Sequence, residues 1–422
     1  MKYVPRAQEK QLKELFKTFP VVVVTGARQV GKSTLLTHLF PDLPHVLFDP
    51  TVDVENVRAD PDLFLRNRKT PLILDEIQYA PELVSAIKRT LEKDRRPGQY
   101  LMTGSQQWNV MKKLSESLAG RAVFLDLEGF SCSEMARITN SPNWLDRWLA
   151  QGEGIDVSSF QTFECSFPLF EYLWRGSLPE AHFLPLQQLP VFFTAYQRTY
   201  IERDVRQLAE IEDQQLFGRF FRLCAALTAQ EVNFSQLGRD IGVTPQTASR
   251  WLDILKATFQ WFEIPPYHGN VIKRLSDKPK GYLADTGMAC FAQAISTPEA
   301  VGFHPLWGSL FETFVVGEIR KLARTLDVQP HFYHWRAHGG GEVDLLLERD
   351  GSFYPIEIKA ATHPTKQDIR GLTSFRTTYP HLAVKRGLVI CPTDVAYALS
   401  EHEIVIPWNA IIKPESLLSL PG

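Results

Sequence analysis

The sequence predicts an α/β chain: a doubly wound parallel sheet first, then a helical segment, then a second α/β unit. Three observations predict it. A valine run, Val21–Val24, enters a glycine-rich turn followed by a helix-like stretch. Apolar runs ending in polar residues recur through the first third of the chain, separated by helix-length spacers. Near the other end, Asp350-Gly351 divides two strand-like runs. Strand–helix alternation implies a parallel sheet, and Asp-Gly between strand-like runs implies a hairpin.

Residues 1–20 read as an amphipathic helix with Leu12, Leu15 and Phe16 on one stripe. Strands are expected at Val21–Val24, in "HVLFD" ending at Asp49, in "LILD", in "YLMTGS" and in "AVFLDL". The β-branched valine run suits a central strand buried on both faces. After it, Gly26, Ala27, Arg28, Gln29, Val30, Gly31, Lys32 and Ser33 match G-x-x-x-x-G-K-[ST], with Thr34 following. Glycines let backbone N–H groups curl around anionic oxygens, and the helix that starts near Lys32 points its positive end at the same place. Lys32 is expected to reach the outer phosphates of a nucleotide and Ser33 to offer its hydroxyl to Mg²⁺.

"PLILDEIQ" ends a strand in two acids. Asp75 is suited to hold Mg²⁺ through water, and Glu76 to orient an attacking water, which favours hydrolysis over transfer. "QYLMTGSQQ" ends in Thr103, Ser105 and Gln106. Ser105 is the chosen γ-phosphate sensor, against simple turn chemistry. Arg121 precedes the fifth apolar run and is either a finger for a neighbouring subunit's γ-phosphate or a solvated surface arginine.

Composition bounds the remaining classes. The 422 residues allow two to four domains, and 44% hydrophobic with 22% charged residues is ordinary for a globular protein. A net charge of −2 excludes a global basic footprint but leaves room for a local nucleic-acid patch. The five cysteines lie far apart, against both a disulfide framework and zinc, and the expected compartment is the cytoplasm. The N-terminal stretch lacks the apolar core of a signal peptide, and no run approaches the roughly 20 apolar residues of a span. No membrane partner is expected.

Residues 141–168 are rich in Gly, Ser and polar side chains and read as a linker or insertion. From 169 to 268 the pattern is helical. Within it, "FSQLGRDIGVTPQTASRWLDILKA" has helix-turn-helix spacing: Leu237 and Ile241 inward, Gly242 at the turn, Thr244 as cap, Pro245 at the first helical position, and Ile254 and Leu255 in the core. Gln246, Ser249 and Arg250 are expected on the exposed face, either touching DNA or forming part of a winged-helix lid. Residues 269–422 hold "EVDLLLERDGSFYPIEIKAA". A period of two puts Asp344 on one face of the first strand, and Glu357 and Lys359 on one face of the second. Two carboxylates and a lysine suit phosphodiester hydrolysis with a second Mg²⁺ or Mn²⁺. Glu312 in "LFETFVVGEIRKLA" is a third metal-binding acid, with Glu318 as its competitor.

"GARQVGKSTLL", "LILDEIQ", "TGSQQ", "SLAGR" and "FSCSE", with "YIERDV", "LADTGM", "FETFVVGEI" and "GGEVDLLL…PIEIKAA", resemble the prokaryotic AAA+ ATPases with a C-terminal domain of unknown function. The last segment also resembles the PD-(D/E)xK nucleases, through Asp344 with Glu357-x-Lys359. The resemblance spans nearly the whole chain. It implies a AAA+ P-loop domain over 1–140, ATP binding and hydrolysis, and a nuclease-like domain over 269–422. Ser33 stands where that family often has threonine, and the hydroxyl is the same. Arg175 in "YLWRGSLPE" is a candidate second sensing arginine. The expected activity is Mg²⁺-dependent ATP hydrolysis in an associating protein, a homo-oligomer, with nucleotide state coupled to a DNA-facing nuclease-like domain. The alternative is a nucleotide-dependent binding switch on an inactive nuclease-like scaffold.

Overall fold

The computed structural model describes residues 2–49, 54–105, 117–139, 143–199, 213–269, 278–337 and 339–413. Gln106 and the "YIERDV" stretch at 200–205 lie outside the described residues.

The first unit is a five-stranded parallel sheet made of β1 (Val21–Thr25), β2 (His45–Leu47), β3 (Leu72–Asp75), β4 (Tyr100–Gly104) and β5 (Ala122–Asp126). The spatial order is β2-β3-β4-β1-β5. All five expected strands are present. Val21–Val24 are each 0% exposed. Val22 and Val24 pack with Leu12, Leu35 and Leu36 of the Glu9–Thr18 and Lys32–Leu39 helices. Val21 and Val23 face the other way, onto Leu83, Val84, Ile87 and Leu91 of the Leu83–Lys93 helix. Burial on two faces is what a continuous β-branched run provides, at about 1.5–3 kcal/mol per side chain.

Residues 143–163, expected as a linker or insertion, pack tightly on the far end of the chain. The Trp144–Gln151 helix buries Trp148 at 0% exposure, and its indole N–H donates to the Arg386 carbonyl at 3.1 Å. Strand β6 (Phe160–Thr162) pairs antiparallel with the strand Ala410–Ile412. The aromatic spacing of "NWLDRW" gives this segment, glycine and serine notwithstanding, a buried face.

The middle unit joins the helices Leu169–Arg175, Leu189–Thr199, Gln214–Ala226, Phe234–Ile241 and Pro245–Ala257 to a small antiparallel sheet. That sheet holds β7 (Gln230–Glu231), β8 (Trp261–Ile264) and β9 (Lys280–Leu283), in the order β7-β9-β8. The boundary expected at 268/269 therefore cuts through it, because its central strand is β9. The helix pair turns as its sequence dictates: Gly242 sits at φ 82° and the Thr244 side chain accepts from the Thr247 amide. Gln246 and Arg250 are exposed and Ser249 half-buried.

The third unit begins with the Trp307–Ala323 helix. Its sheet comprises β10 (His331–Arg336), β11 (Glu342–Arg349), β12 (Ser352–Ile358), β13 (Ala383–Val384), β14 (Gly387–Cys391), β15 (Tyr397–Ala398) and β16 (Glu403–Pro407), followed by β17 (Ala410–Ile412) on β6. The order is β10-β11-β12-β14-β16-β15, with β13 on β12. The β11–β12 hairpin turns at Asp350 (φ 53°) and Gly351 (φ 72°), the paired positive φ that Asp-Gly supplies. One apolar cluster runs from Leu12 through Phe220 and Phe311 to Ile412, so the three units share a core. Among the described residues, no helix is long and apolar enough to cross a membrane.

Candidate active site

The loop between β1 and the Lys32–Leu39 helix is shaped by its glycines. Gly26 has φ 148°, and a Cβ there would lie 2.1 Å from the Leu127 carbonyl oxygen. Gly31, at φ 93°, caps the helix. Gln29 also takes positive φ, 61°. The Lys32 Nζ is buried and donates to the carbonyls of Gly26 at 3.0 Å and Ala27 at 2.8 Å, arching over the loop. Val30 is buried, Thr34 exposed, and Arg28 donates to the Tyr79 hydroxyl at 3.0 Å.

The strand tips beside the loop bring the expected polar residues together. Asp75, 1% exposed, accepts from Ser33 Oγ at 3.0 Å and from Thr103 Oγ1. Its other oxygen lies 3.1 Å from His45 Nε2. Thr103 in turn accepts from the Glu76 amide at 2.9 Å. Glu76 sits at φ 58°. Its carboxylate accepts from Gln78 Nε2 and, at 3.4 Å, from Ser105 Oγ, and Gln78 also donates to Ser105 at 3.1 Å. Ser105 thus lies beside the two acids, at the carboxyl ends of the strands. The donor set fits a nucleotide with its cation: a glycine cradle, a lysine within the loop, and a hydroxyl against a carboxylate, where Mg²⁺ takes oxygen ligands.

Arg121 is elsewhere. Val21 pairs with Ala122, so Arg121 lies at the amino-terminal edge of the sheet, away from its own chain's loop, 3.7 Å from Glu92. Arg175 is not a nucleotide-facing group. It is buried, with Nε 2.7 Å from Glu171, Nη1 donating to the Ala181 and Leu184 carbonyls at 2.7 and 2.9 Å, and the guanidinium 4.5 Å from the Phe167 ring. It ties helix 169–175 to the turns after it. A different arginine supports the loop: Arg6, 5% exposed, donates to the Val30 carbonyl at 2.9 Å, to the Glu128 carbonyl at 2.6 Å and to Glu134 at 3.0 Å. His45 and Arg6 carry no motif, and Gln78, though it closes "LILDEIQ", was given no role there. Each is recruited by a neighbour remote in sequence or, for Gln78, by a tight turn.

At the end of β5 and just past it, the loop domain is tied to the third unit. Asp126 accepts from Thr25 of β1 and pairs with Arg324 at 2.7 Å, while Glu128 pairs with Arg324 at 2.5 Å and Arg320 at 3.1 Å. Burial pushes the Glu128 carboxyl up, but the two guanidiniums outweigh it and hold it below its ordinary value. Arg320 also lies over the Phe262 ring of β8, 3.6 Å from its centroid. A cavity of about 330 Å³ opens where the units meet, lined in part by Ala27, Val30, Glu128, Gln260 and Arg320.

The C-terminal acids form a second cluster. Leu345 pairs with Ile356, and one step further along each strand sets Asp344 across from Glu357. Asp344 accepts from the Ile358 amide at 2.9 Å. Glu357 pairs with Lys359 at 2.6 Å and keeps its Oε2 buried without a partner. Burial, then the Asp344 charge, pushes the Glu357 carboxyl well up. Between the two competing acids the geometry selects Glu312. Glu318 instead accepts from the Cys132 amide at 2.9 Å and pairs with Lys321 at 2.7 Å. Glu312 reaches the cluster through Lys280, whose Nζ is 2.7 Å from Glu312, 3.0 Å from Glu342 and 3.3 Å from Asp344. Burial and then Asp344 push the Glu312 carboxyl up to about 8. Asp344, Glu357 and Glu312 were expected as a metal-ligand set; with Lys280 among them, no three His, Cys, Asp or Glu of the described residues are grouped to hold a metal ion in this arrangement. Lys280 is the member that the hairpin motif could not disclose, while Glu342, two residues before Asp344, shares its face but was not singled out.

Three family models match the chain: an AAA domain over residues 18–136, a domain of unknown function (DUF8612) over 167–299, and a domain of unknown function (DUF4143) over 307–411. Uncharacterized proteins of Mycobacterium tuberculosis and Mycobacterium bovis are each 27% identical over 409 residues, 96% of this chain and 84% of theirs. Among solved structures, a Walker-type ATPase of Pyrococcus abyssi aligns with 69% of this chain and 96% of its own, at 16% identity and a TM-score of 0.40. The AAA match and the loop geometry agree on a nucleotide-binding P-loop domain of the AAA type over residues 18–136.

Proposed function

We propose that the chain binds ATP with Mg²⁺ at the 26–33 loop, hydrolyses it, and passes its nucleotide state to a nuclease-like C-terminal domain that faces DNA. One observation carries the first part: Ser33, Asp75, Thr103 and Glu76 are linked by hydrogen bonds at the strand tips beside the buried Lys32. Ser33 and Asp75 would hold Mg²⁺, which screens phosphate charge when bound. The glycine-shaped backbone and Lys32 bind the phosphates. Glu76 orients the attacking water, and Ser105, hydrogen-bonded to the same carboxylate, senses the γ-phosphate. The test is a pair of variants. Lys32→Ala loses ATP binding, and Glu76→Gln binds ATP without turnover. Normal hydrolysis by Glu76→Gln would show that another group orients the water.

The Asp126/Glu128–Arg320/Arg324 network supports the coupling, because it ties the strand beside β1 to the helix that carries Glu312. The exposed Gln246 and Arg250 after a capped turn support a winged-helix reading in which the middle unit touches DNA. A finger at Arg121, on the amino-terminal edge of the sheet, would act on a neighbouring copy, hence a homo-oligomer. The Asp344–Glu357–Lys359 hairpin supports the nuclease-like assignment. Plasmid incubated with the protein and Mg²⁺ or Mn²⁺ tests it, with cleavage lost in Asp344→Ala. A second reading, a nucleotide-dependent switch on an inactive scaffold, is favoured by the Lys280 ammonium among the acids.

A further inference from the structure

The acidic cluster of the C-terminal sheet takes its balancing charge from another unit. Lys280 opens β9, the central strand of the middle sheet, and its side chain is 4% exposed. An ammonium has three donors. Glu312, Glu342 and Asp344 stand around it at 2.7, 3.0 and 3.3 Å. Tyr282, two residues along and so on the same face of β9, donates its hydroxyl to Glu312 at 2.8 Å. Glu312 comes from the Trp307–Ala323 helix, Glu342 and Asp344 from β11, and the cation from β9. The cluster is therefore an interdomain contact.

We propose that Lys280 is a built-in cation that closes the acidic cluster to divalent metal, and that the cluster becomes a metal-binding site when β9 withdraws. Three carboxylates this close repel one another unless a cation stands among them. Hard divalent cations seek the same carboxylate oxygens that the ammonium now engages, so the two compete for one place. A further acid is poised beside it: Glu357 faces Asp344 and holds Oε2 buried without a partner, an acceptor that Lys280 does not use. The hairpin that bears Lys280 is held in place by a Pro266–His334 bridge and by His334 Nε2, 3.1 Å from the Lys278 carbonyl oxygen. These contacts join β10 to the segments flanking β8 and β9. The lock is thus part of the docking between two sheets, and movement of one sheet against the other would open it.

The test uses the full chain without nucleotide and Mn²⁺ alone as the probe. Lys280→Met keeps an unbranched apolar stem and removes the charge. By calorimetric titration, Lys280→Met binds Mn²⁺ on the order of tenfold or more tighter than the unaltered chain, and adding Asp344→Asn removes the gain. Equal binding by the unaltered chain and Lys280→Met at a site that Asp344→Asn abolishes overturns the proposal, as does a folded Lys280→Met that binds nothing. Loss of the ammonium leaves buried acids uncompensated and threatens folding, so a second measurement uses the unaltered chain. Under an amine-acylating reagent without metal, Lys280 stays unmodified while the exposed Lys10 reacts. Acylation of Lys280 at the rate of Lys10 contradicts the lock. None of these readouts involves the 26–33 loop, so their failure leaves the nucleotide reading standing.

Discussion

Two carboxylates illustrate how environment assigns roles. Glu76 adopts positive φ, at about 1 kcal/mol for a residue with a Cβ, and its amide is anchored on Thr103. This geometry holds its carboxylate beside Ser105 and Gln78, at the tip of the sheet. Glu312 is set by burial first and by the neighbouring Asp344 charge second. Its folded value of about 8 stands above the ordinary 4.5. Below 4.5 both folded and unfolded chains hold the proton. Between 4.5 and about 8 the folded chain holds more, so the stability Glu312 contributes is lost as pH rises through that window. Glu357, also pushed up, acts in the same direction. Urea midpoints at about pH 5 and pH 8.5 are expected to fall with pH, and Glu312→Gln to flatten the fall. An unchanged slope in Glu312→Gln would assign the titration to other groups.

At the scale of elements, the loop and the linking helix are the sensitive parts. Gly26→Ala pushes a methyl into the Leu127 carbonyl, 2.1 Å away, so the loop must shift. ATP affinity is expected to drop at least about tenfold, on the order of 1.4 kcal/mol, with the fold retained. Arg324→Ala removes one of two guanidiniums from Glu128 and the partner of Asp126. A loss of about 3 kcal/mol is expected from denaturant midpoints. The elements themselves were legible in the sequence wherever a local rule governs: the valine run, the glycine loop, the Gly242–Thr244 turn and the Asp350-Gly351 hairpin. The same rules located Asp75, Glu76 and Ser105 at strand tips. They failed where partners come from remote sequence. Arg6 supports a loop 24 residues on, and Lys280 meets Asp344 64 residues on. No spacing within either segment encodes such a meeting. Within 141–168, read as a linker or insertion, composition did not disclose that Trp144 and Trp148 are core.

Across the described residues, an apolar cluster and two charge networks join the units, so a change at the loop has a material path to the acidic cluster through the Trp307–Ala323 helix. Assembly is a separate matter. Arg121 lies far from its own loop and can serve catalysis only on a neighbour, so Glu76→Gln with ATP is expected to associate, and Arg121→Ala to associate without gaining turnover. Light scattering that finds only monomer in both would remove the finger. The central claim, that ATP with magnesium occupies the 26–33 loop, is tested most directly by calorimetric titration of the full chain with both ligands. The expected result is one saturable site per chain that disappears in a folded Lys32→Ala. Absence of heat from the unaltered chain, or undiminished binding by Lys32→Ala, would contradict it.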